Sequence, residues 1–173
     1  MAKTLVLTFM AKDRPGLVET LSETVAEHGG NWLESRMAHL AEKFAGVARV
    51  EIPGDKVEAL KKALMALDAE GFHLTVEDAR DAAAADGPLL TLDLVGPDQP
   101  GIVRDISHCL AQRGVSVEQM ETDIRGAPMG GGTLFYTQAR VRVPAGLDQD
   151  ELRDALEALA GALMVDIRLR KEA

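Results

Sequence analysis

The stretch Asp13-Arg-Pro-Gly-Leu-Val18 returns 85 residues later (13 to 98) as Asp98-Gln-Pro-Gly-Ile-Val103. In each copy an alternating apolar run precedes the motif, as in a strand, and apolar residues at helical spacing follow it. Proline suits the first position of a helix because its missing N–H would be unpaired there, and the aspartate ahead of it can cap free backbone donors. The repeat therefore predicts two strand-to-helix corners, each with a capping aspartate and a proline at the first helical position.

Such a corner presents N–H groups at the positive end of a helix dipole, where proteins commonly receive carboxylates and phosphates. The glycine of the motif lets the main chain lie close to a neighbour or a ligand. A single copy would indicate only the start of a helix. Two copies in matching contexts favour a binding site at the corners.

The composition is that of a folded, acidic protein. Of the 173 residues 46% are hydrophobic and 3% aromatic, so we expect an aliphatic core, and the formal charge is −9. Such a chain suits neither nucleic acid nor an anionic membrane, because phosphate binding depends on clustered lysine and arginine. Cys109 is the only cysteine, which favours a reducing compartment. No apolar run approaches the ~20 residues that cross a bilayer, and we expect a cytoplasmic protein.

The first half of the chain reads as six elements ended by turn residues. The predicted elements are a strand at 3–10, a helix after the Asp13 corner, strands at 31–40 and 44–52, a helix after Gly54, and a strand at 73–77. Gly29-Gly30 is expected to end the first helix and Gly71 the second.

The second half repeats this order. Leu90-Thr-Leu-Asp-Leu94 corresponds to Leu5-Val-Leu-Thr-Phe9 at the offset of 85 (5 to 90). At the third strand the offset grows to 91, because Val141 corresponds to Val50 (50 to 141). The extra residues fall at 126–132, a stretch with four glycines, which predicts a longer hairpin tip. The last strand is predicted at 164–169.

Each half is thus predicted to be β-α-β-β-α-β, the ferredoxin-like arrangement of one antiparallel sheet with both helices on one face. The fold class is α+β, with one domain at 1–78 and another at 89–173. Residues 79–88 are small and acidic and lack large apolar side chains, which is typical of a linker.

A ferredoxin-like repeat with Asp-x-Pro-Gly-[Leu/Ile]-Val at its first corner resembles the ACT domain, a regulatory module that commonly binds amino acids. Two such repeats that fill almost the whole chain resemble the glycine cleavage system transcriptional repressor family. This second resemblance is carried by the two corner motifs, Gly30-Asn-Trp-Leu-Glu-Ser-Arg36, and the tail segments 144–147 and 163–167.

The ACT resemblance implies a ligand near the first corner, against the start of the second strand or a neighbouring domain. Carried over residue by residue, it implicates Asp13, Pro15, Gly16, Leu17 and Asn31, and in the second copy Asp98, Pro100, Gly101, Ile102 and Ser116. The ligand carboxylate would take its donors from the amides of 16–18, and its ammonium would use Asp13 or Asn31 as acceptor. Ser116 has a shorter reach than Asn31, so we prefer the first site.

Other chemistry has less support in the sequence. The four histidines lack metal-ligand spacing, and no metal or cofactor is expected. His108 and Cys109 are adjacent, but neighbours on a helix point roughly 100° apart, and we interpret Cys109 as a core thiol. The glycines at 130–132 lack the Lys-Ser/Thr of a phosphate loop. Arg14 would suit a phosphatase, yet Gln99 replaces it in the second copy and no nucleophile accompanies it.

Three functions stay open from the sequence. The first is a non-enzymatic sensor that binds a small amino acid and passes its occupancy to a protein partner. The family resemblance implies glycine or a relative as ligand and a transcription activator as partner, and without a basic face we expect no direct contact with DNA. The second is an assembly module whose corners bind nothing, and the third is an enzyme that uses Arg14 or Cys109. Edge strands of such sheets invite pairing, so we expect a homodimer or pairing of the two repeats.

Overall fold

The same order of strands and helices occurs twice along the chain in a computed structural model that describes residues 1–80 and 86–172. The chain divides into two compact units, Met1–Asp81 and Ala82–Ala173, each with a four-stranded antiparallel sheet. The predicted fold class is confirmed. Of the predicted linker at 79–88, residues 81–85 lie outside the described residues, and the domain boundaries given above stay a prediction. Within the described ranges no helix is long and apolar enough to cross a membrane.

The first unit has its central strand beside the corner motif. Its elements are β1 (Ala2–Lys12), α1 (Leu17–Glu27), β2 (Asn31–Leu40), β3 (Lys43–Pro53), α2 (Val57–Ala66) and β4 (Phe72–Asp78). The strand order is β2-β3-β1-β4. Ala41 and Glu42 join β2 to β3 with φ values of 45° and 63°, as expected for a two-residue hairpin turn whose twist matches that of the strands.

Alternation along β1 builds the core of this unit. Leu5, Leu7 and Phe9 are at most 2% exposed and pack in one cluster with Leu21 of α1 and Leu64 of α2. Both helices therefore cover the same face of the sheet, as the ferredoxin-like arrangement requires.

The second unit repeats the first with a longer hairpin and a longer last helix. Its elements are β5 (Leu89–Pro97), α3 (Ile102–Ala111), β6 (Ser116–Gly126), β7 (Thr133–Arg142), α4 (Gln149–Leu163) and β8 (Asp166–Lys171), in strand order β6-β7-β5-β8. The predicted hairpin tip at 126–132 is confirmed. The predicted start of the last strand at 164 is wrong, because Met164 ends α4 in the left-handed conformation with φ 53°.

The two cores differ by a compensating exchange. In register, Phe9 lies opposite Gly46 in the first sheet and Leu94 opposite Thr137 in the second. A Cβ on Gly46 would lie 2.6 Å from the Arg36 carbonyl oxygen and 2.9 Å from Phe9 Cζ, so the β2 backbone and the Phe9 ring together occupy the space of a side chain there. The smaller Leu94 leaves room for Thr137, whose buried Oγ1 has no hydrogen-bond partner among the described residues. Cys109 is buried in the second core, as predicted.

Candidate functional site: the two strand-to-helix corners

Each corner is a proline-glycine turn that lies before the helix. β1 ends at Lys12 and α1 begins at Leu17, so Pro15 is not at the first helical position, and that prediction is wrong in both copies. Gly16 has φ 89° and ψ 3°, and Gly101 has φ 92° and ψ 0°. These angles belong to the third residue of a type II turn, in which proline favours the second position and glycine the third.

The predicted aspartate caps are also wrong. Neither α1 nor α3 has a side-chain cap, because the residue at the capping position is a glycine. The carboxylate of Asp13 instead lies 3.5 Å from Nε2 of His39, near the end of β2. The Asp13 N–H donates to the carbonyl of Glu42 at 2.9 Å, and the Asp98 N–H to that of Thr133 at 3.0 Å. Each corner is thus tied to the tip of the neighbouring hairpin.

The first amides of both helices are open. The Thr20 N–H donates to the Gly16 carbonyl at 3.0 Å, and the Asp105 N–H to the Gly101 carbonyl at 2.9 Å; these are the first bonds of α1 and α3. Within residues 1–80 and 86–172, the N–H groups of 17–19 and 102–104 have no acceptor. Open amides at the positive end of a helix dipole suit a carboxylate or phosphate oxygen.

The residue after each aspartate anchors its corner to the second helix of the unit. Arg14 Nη2 donates to the carbonyl of Glu70 at 3.0 Å, and Gln99 Nε2 to the carbonyl of Leu163 at 2.7 Å. Leu163 ends α4, and Glu70 ends the short 3-10 turn at 67–70 that continues α2, so both carbonyls lie where a helical segment lacks further backbone donors. Arginine and glutamine thus make the same contact, which gives Arg14 a structural role.

The start of the second strand lies far from the corner of its own unit. Asn31 pairs with Glu51, and Glu51 pairs with Thr4, whereas the corner follows Lys12. Thr4 and Lys12 are about 26 Å apart along the strand at this rise per residue. The structure therefore brings Asp13, Pro15, Gly16 and Leu17 together without Asn31.

The second copy has the same geometry. Ser116 pairs with Arg142, which pairs with Leu89, while the corner follows Pro97 at the other end of β5. The structure therefore brings the predicted residues of the second corner together without Ser116. These residues are Asp98, Pro100, Gly101 and Ile102. A ligand that contacts both a corner and the residue at the start of a second strand must therefore contact two different domains.

The two corners carry opposite charges at one equivalent position. A Cβ on Gly16 would lie 3.8 Å from Glu19 Oε2, whereas one on Gly101 would lie 2.8 Å from the Arg104 guanidinium. Arg104 Nε donates to Asp105 Oδ1 at 2.8 Å, and this hydrogen bond raises the pKa of Arg104 above its usual value. Sequence reasoning missed both residues, although each stands three places after the glycine of its motif.

Metal ligation finds no support in the described part of the chain, where no three His, Cys, Asp or Glu side chains gather closely enough to hold an ion.

The first unit is similar to a known domain family. Residues 3–77, nearly all of the first unit, match the family model of the ACT domain. The second unit has the same strand order and the same left-handed glycine ahead of its first helix. The chain is therefore a tandem of two ferredoxin-like domains, the first of which matches the ACT model.

Similar proteins match nearly the whole length of the chain. The chain is 22% identical over 162 residues to the glycine cleavage system transcriptional repressor of Escherichia coli strain K12, covering 92% of this chain and 85% of the relative. A solved protein from Galdieria sulphuraria, described only as unknown, shares 29% identity and a TM-score of 0.86 over 100% of both chains. A second solved structure, provisionally assigned as a glycine cleavage system transcriptional repressor, has 18% identity and a TM-score of 0.70 over 99% of both chains.

Proposed function

We propose that this chain is a non-enzymatic regulatory protein that binds a small amino acid, glycine or a close relative, and passes its occupancy to a transcription-regulator partner. The observation that carries the proposal is the set of open amides at 17–19, directly after the turn that begins at Asp13, in a domain that matches the ACT model. The likeness to the Escherichia coli repressor over 92% of the chain supports the choice of ligand and partner.

The first corner has complementary groups for both ends of an amino acid. The ligand carboxylate would accept from the amides of 17–19, where the helix dipole favours negative charge. The ammonium would donate to Asp13, whose side chain is 41% exposed, and to Glu19. At the second corner Arg104 replaces Glu19 and adds a cation for the carboxylate. The two corners are therefore expected to differ in affinity.

The position of Asn31 supports a mechanism in which the ligand links two domains. Because Asn31 lies about 26 Å along the sheet from its own corner, a ligand that touches both kinds of group bridges two domains. Such a ligand favours their docked arrangement, by no more than its differential affinity for the docked and undocked states. The partner would then recognise one of the two arrangements.

Calorimetric titration of the full chain with glycine, alanine, serine and glycinamide tests the proposal. Binding of glycine without binding of glycinamide is expected, because the amide lacks the carboxylate. Asp13→Ala is expected to weaken binding by about 10- to 150-fold, the effect of removing a charged hydrogen-bond partner. Asp78→Ala is the matched control, because Asp78 also lies beside a cationic side chain, Lys61 Nζ at 3.2 Å, but aligns with Leu5 near the end of β1 away from the corner. Equal loss in both variants contradicts the assignment.

A mixing experiment tests whether two copies share a site. Asp13→Ala and Asn31→Ala proteins are each expected to bind weakly. If one copy supplies the corner and another supplies Asn31, the mixed dimer contains one intact site and the mixture regains part of the binding. If both variants bind weakly alone and mixing restores nothing, the two residues do not meet across copies.

Assembly without a ligand is the second candidate, and the exposed apolar side chains of Met10 and Val47, on the face of the first sheet away from the helices, favour it. Absence of heat with all twenty amino acids, in a protein that still self-associates, would select this candidate.

A further inference from the structure

The open faces of the two sheets, on the side away from the helices, differ in character. The open face of the second sheet carries three ion pairs, Asp93–Arg170 at 2.6 Å, Glu172–Arg140 at 2.6 Å and Glu118–Arg142 at 2.8 Å. Burial of paired charges costs desolvation energy that their attraction only partly returns. This face is therefore suited to water.

Among the described residues, the open face of the first sheet has one ion pair, Arg49–Glu34 at 3.2 Å. The strands at its centre are uncharged in the row of Thr8 and Val47, where the only charge in the described structure is Arg36 on the edge strand. Thr8 and Val47 stand where the second sheet has Asp93 and Gln138. Met10 is 40% and Val47 46% exposed. Together with Ala45, His73 and Thr75 they line a hollow of about 690 Å³. Exposed apolar groups gathered on one surface are typical of an interaction site.

Charges at the two ends of this face have opposite signs. Lys12 and Lys43 pair in register at the corner end, while Glu51 and Glu77 lie on the same face towards the other end. Within the two described ranges none of these four has an ion-pair partner. A face with an uncharged centre and oppositely charged ends can be complementary to itself.

We propose that the open face of the first sheet binds the same face of a second copy, about a twofold axis in the interface at right angles to the strands. The axis passes through the row Thr8–Val47–Thr75, which the register aligns. The rotation places each residue opposite a residue of the same strand in the partner subunit, at an equal distance on the other side of that row. Lys43 then faces Glu51 of the partner subunit, and Val47 meets Val47 of the partner subunit.

The residue pairs that this axis brings together on β4 and β1 are also compatible. His73 faces Glu77 of the partner subunit, and Met10 faces Val6 of the partner subunit, each pair lying two residues either side of the central row. Arg36, on the edge strand of the same row, meets Arg36 of the partner subunit at the rim, where water and salt screen the repulsion.

The other face-to-face arrangement, with the axis parallel to the strands, is disfavoured by charge. It exchanges β1 with β3 and β2 with β4 at the same level. Lys43 would face Lys12 of the partner subunit, and Glu34 would face Glu77 of the partner subunit. Like charges placed directly opposite destabilise such contacts.

The size of the face predicts a reversible dimer. From Thr4 to Lys12 the strands run about 26 Å, and four strands span about 19 Å. Each copy therefore contributes about 500 Å², and the total of about 1,000 Å² is near the lower limit for a specific interface. Association is expected to depend on concentration. Dimerisation through this surface needs no ligand, so the inference goes beyond the proposed function.

Sedimentation velocity on the ligand-free full chain over a concentration series tests the surface. The wild-type chain is expected to dimerise, and Val47→Glu is expected to abolish dimerisation because it places two carboxylates together on the axis. Val103→Glu is the matched control, since Val103 is 42% exposed on α3 of the other unit. A monomer at every concentration, or a dimer unaffected by Val47→Glu, overturns the proposal.

Charge reversal tests the axis. Lys43→Glu and Glu51→Lys are each expected to weaken association about 5- to 30-fold, because each pair occurs twice in the dimer. The double variant is expected to regain near wild-type association. Lys12→Glu, at the same end of the sheet, is expected to have a much smaller effect. Failure of the double variant to recover, or tighter association of Lys12→Glu, overturns the axis.

Discussion

Gly16 and Gly29 stand at the two ends of α1 and form a matched pair for testing the corner. Both backbones are left-handed, with φ of +89° and +74°. A Cβ at Gly16 would lie 3.8 Å from Glu19 Oε2, and one at Gly29 would meet nothing within 4 Å. Alanine at either position therefore adds backbone strain without steric overlap. The strain is about 1–2 kcal/mol, which lowers the melting temperature of a unit of this size by about 4–16 °C.

The two variants are expected to differ in ligand binding. Strain at Gly16 is relieved by rotation of the turn, which redirects the open amides of 17–19, and loss of one charge-assisted hydrogen bond weakens glycine binding about 10-fold or more. Strain at Gly29 acts at the opposite end of the helix, so affinity stays within about twofold. Thermal unfolding followed by circular dichroism gives the stabilities, and calorimetry gives the affinities. Unchanged affinity in a destabilised Gly16→Ala, or equal loss in both variants, would refute the reasoning.

Three further predictions concern packing and pH. Thr137→Val is expected to raise the melting temperature of the second unit by about 4–8 °C, because it removes a buried hydroxyl without a partner, worth about 1 kcal/mol; a decrease in calorimetry would mean that the hydroxyl is paired. Gly46→Ala is expected to destabilise the first unit by about 1–3 kcal/mol, because its Cβ would lie 2.6 Å from the Arg36 carbonyl oxygen and 2.9 Å from Phe9 Cζ. Phe9→Leu relieves only the second contact and is expected to recover part of the loss; additive effects in a double-mutant cycle would contradict this. The hydrogen bond from Arg140 lowers the pKa of Glu172, so the stabilisation it gives is present above the ordinary glutamate pKa and is lost as pH falls through the lowered one; carboxyl carbon shifts should show that pKa rising in Arg140→Gln, and an unmoved pKa would contradict the assignment.

The fold was predictable because alternation and helical spacing repeat at a constant offset. The predicted second strand, 31–40, has the bounds of β2. The errors occur where two local structures share one sequence signal. Proline suits both the first turn of a helix and the second position of a type II turn, so Pro15 was placed in the wrong one. Met164 ends α4 in a conformation that methionine rarely adopts, and nothing in its apolar surroundings indicates a break.

The candidate site was only half predictable. The corner motif locates the open amides, because a glycine at the capping position offers them no side-chain acceptor. The distance of Asn31 from the corner follows from topology rather than from spacing: α1 returns the chain to the start of β1, so the next strand begins at the far end of the sheet. Glu19 lies four and eight residues from Glu23 and Glu27, and such a run normally indicates a solvated helix face.

Amide proton and nitrogen shifts of the full chain during a glycine titration test the central claim most directly. The N–H resonances of Leu17, Val18 and Glu19 are expected to move together and to saturate with one dissociation constant, because these donors have no acceptor in the described structure and would gain the ligand carboxylate. Glycinamide is expected to leave them in place. Saturable binding of glycine that shifts other amides while these three stay fixed, or no shift anywhere at saturating glycine, would contradict a ligand site at the corner.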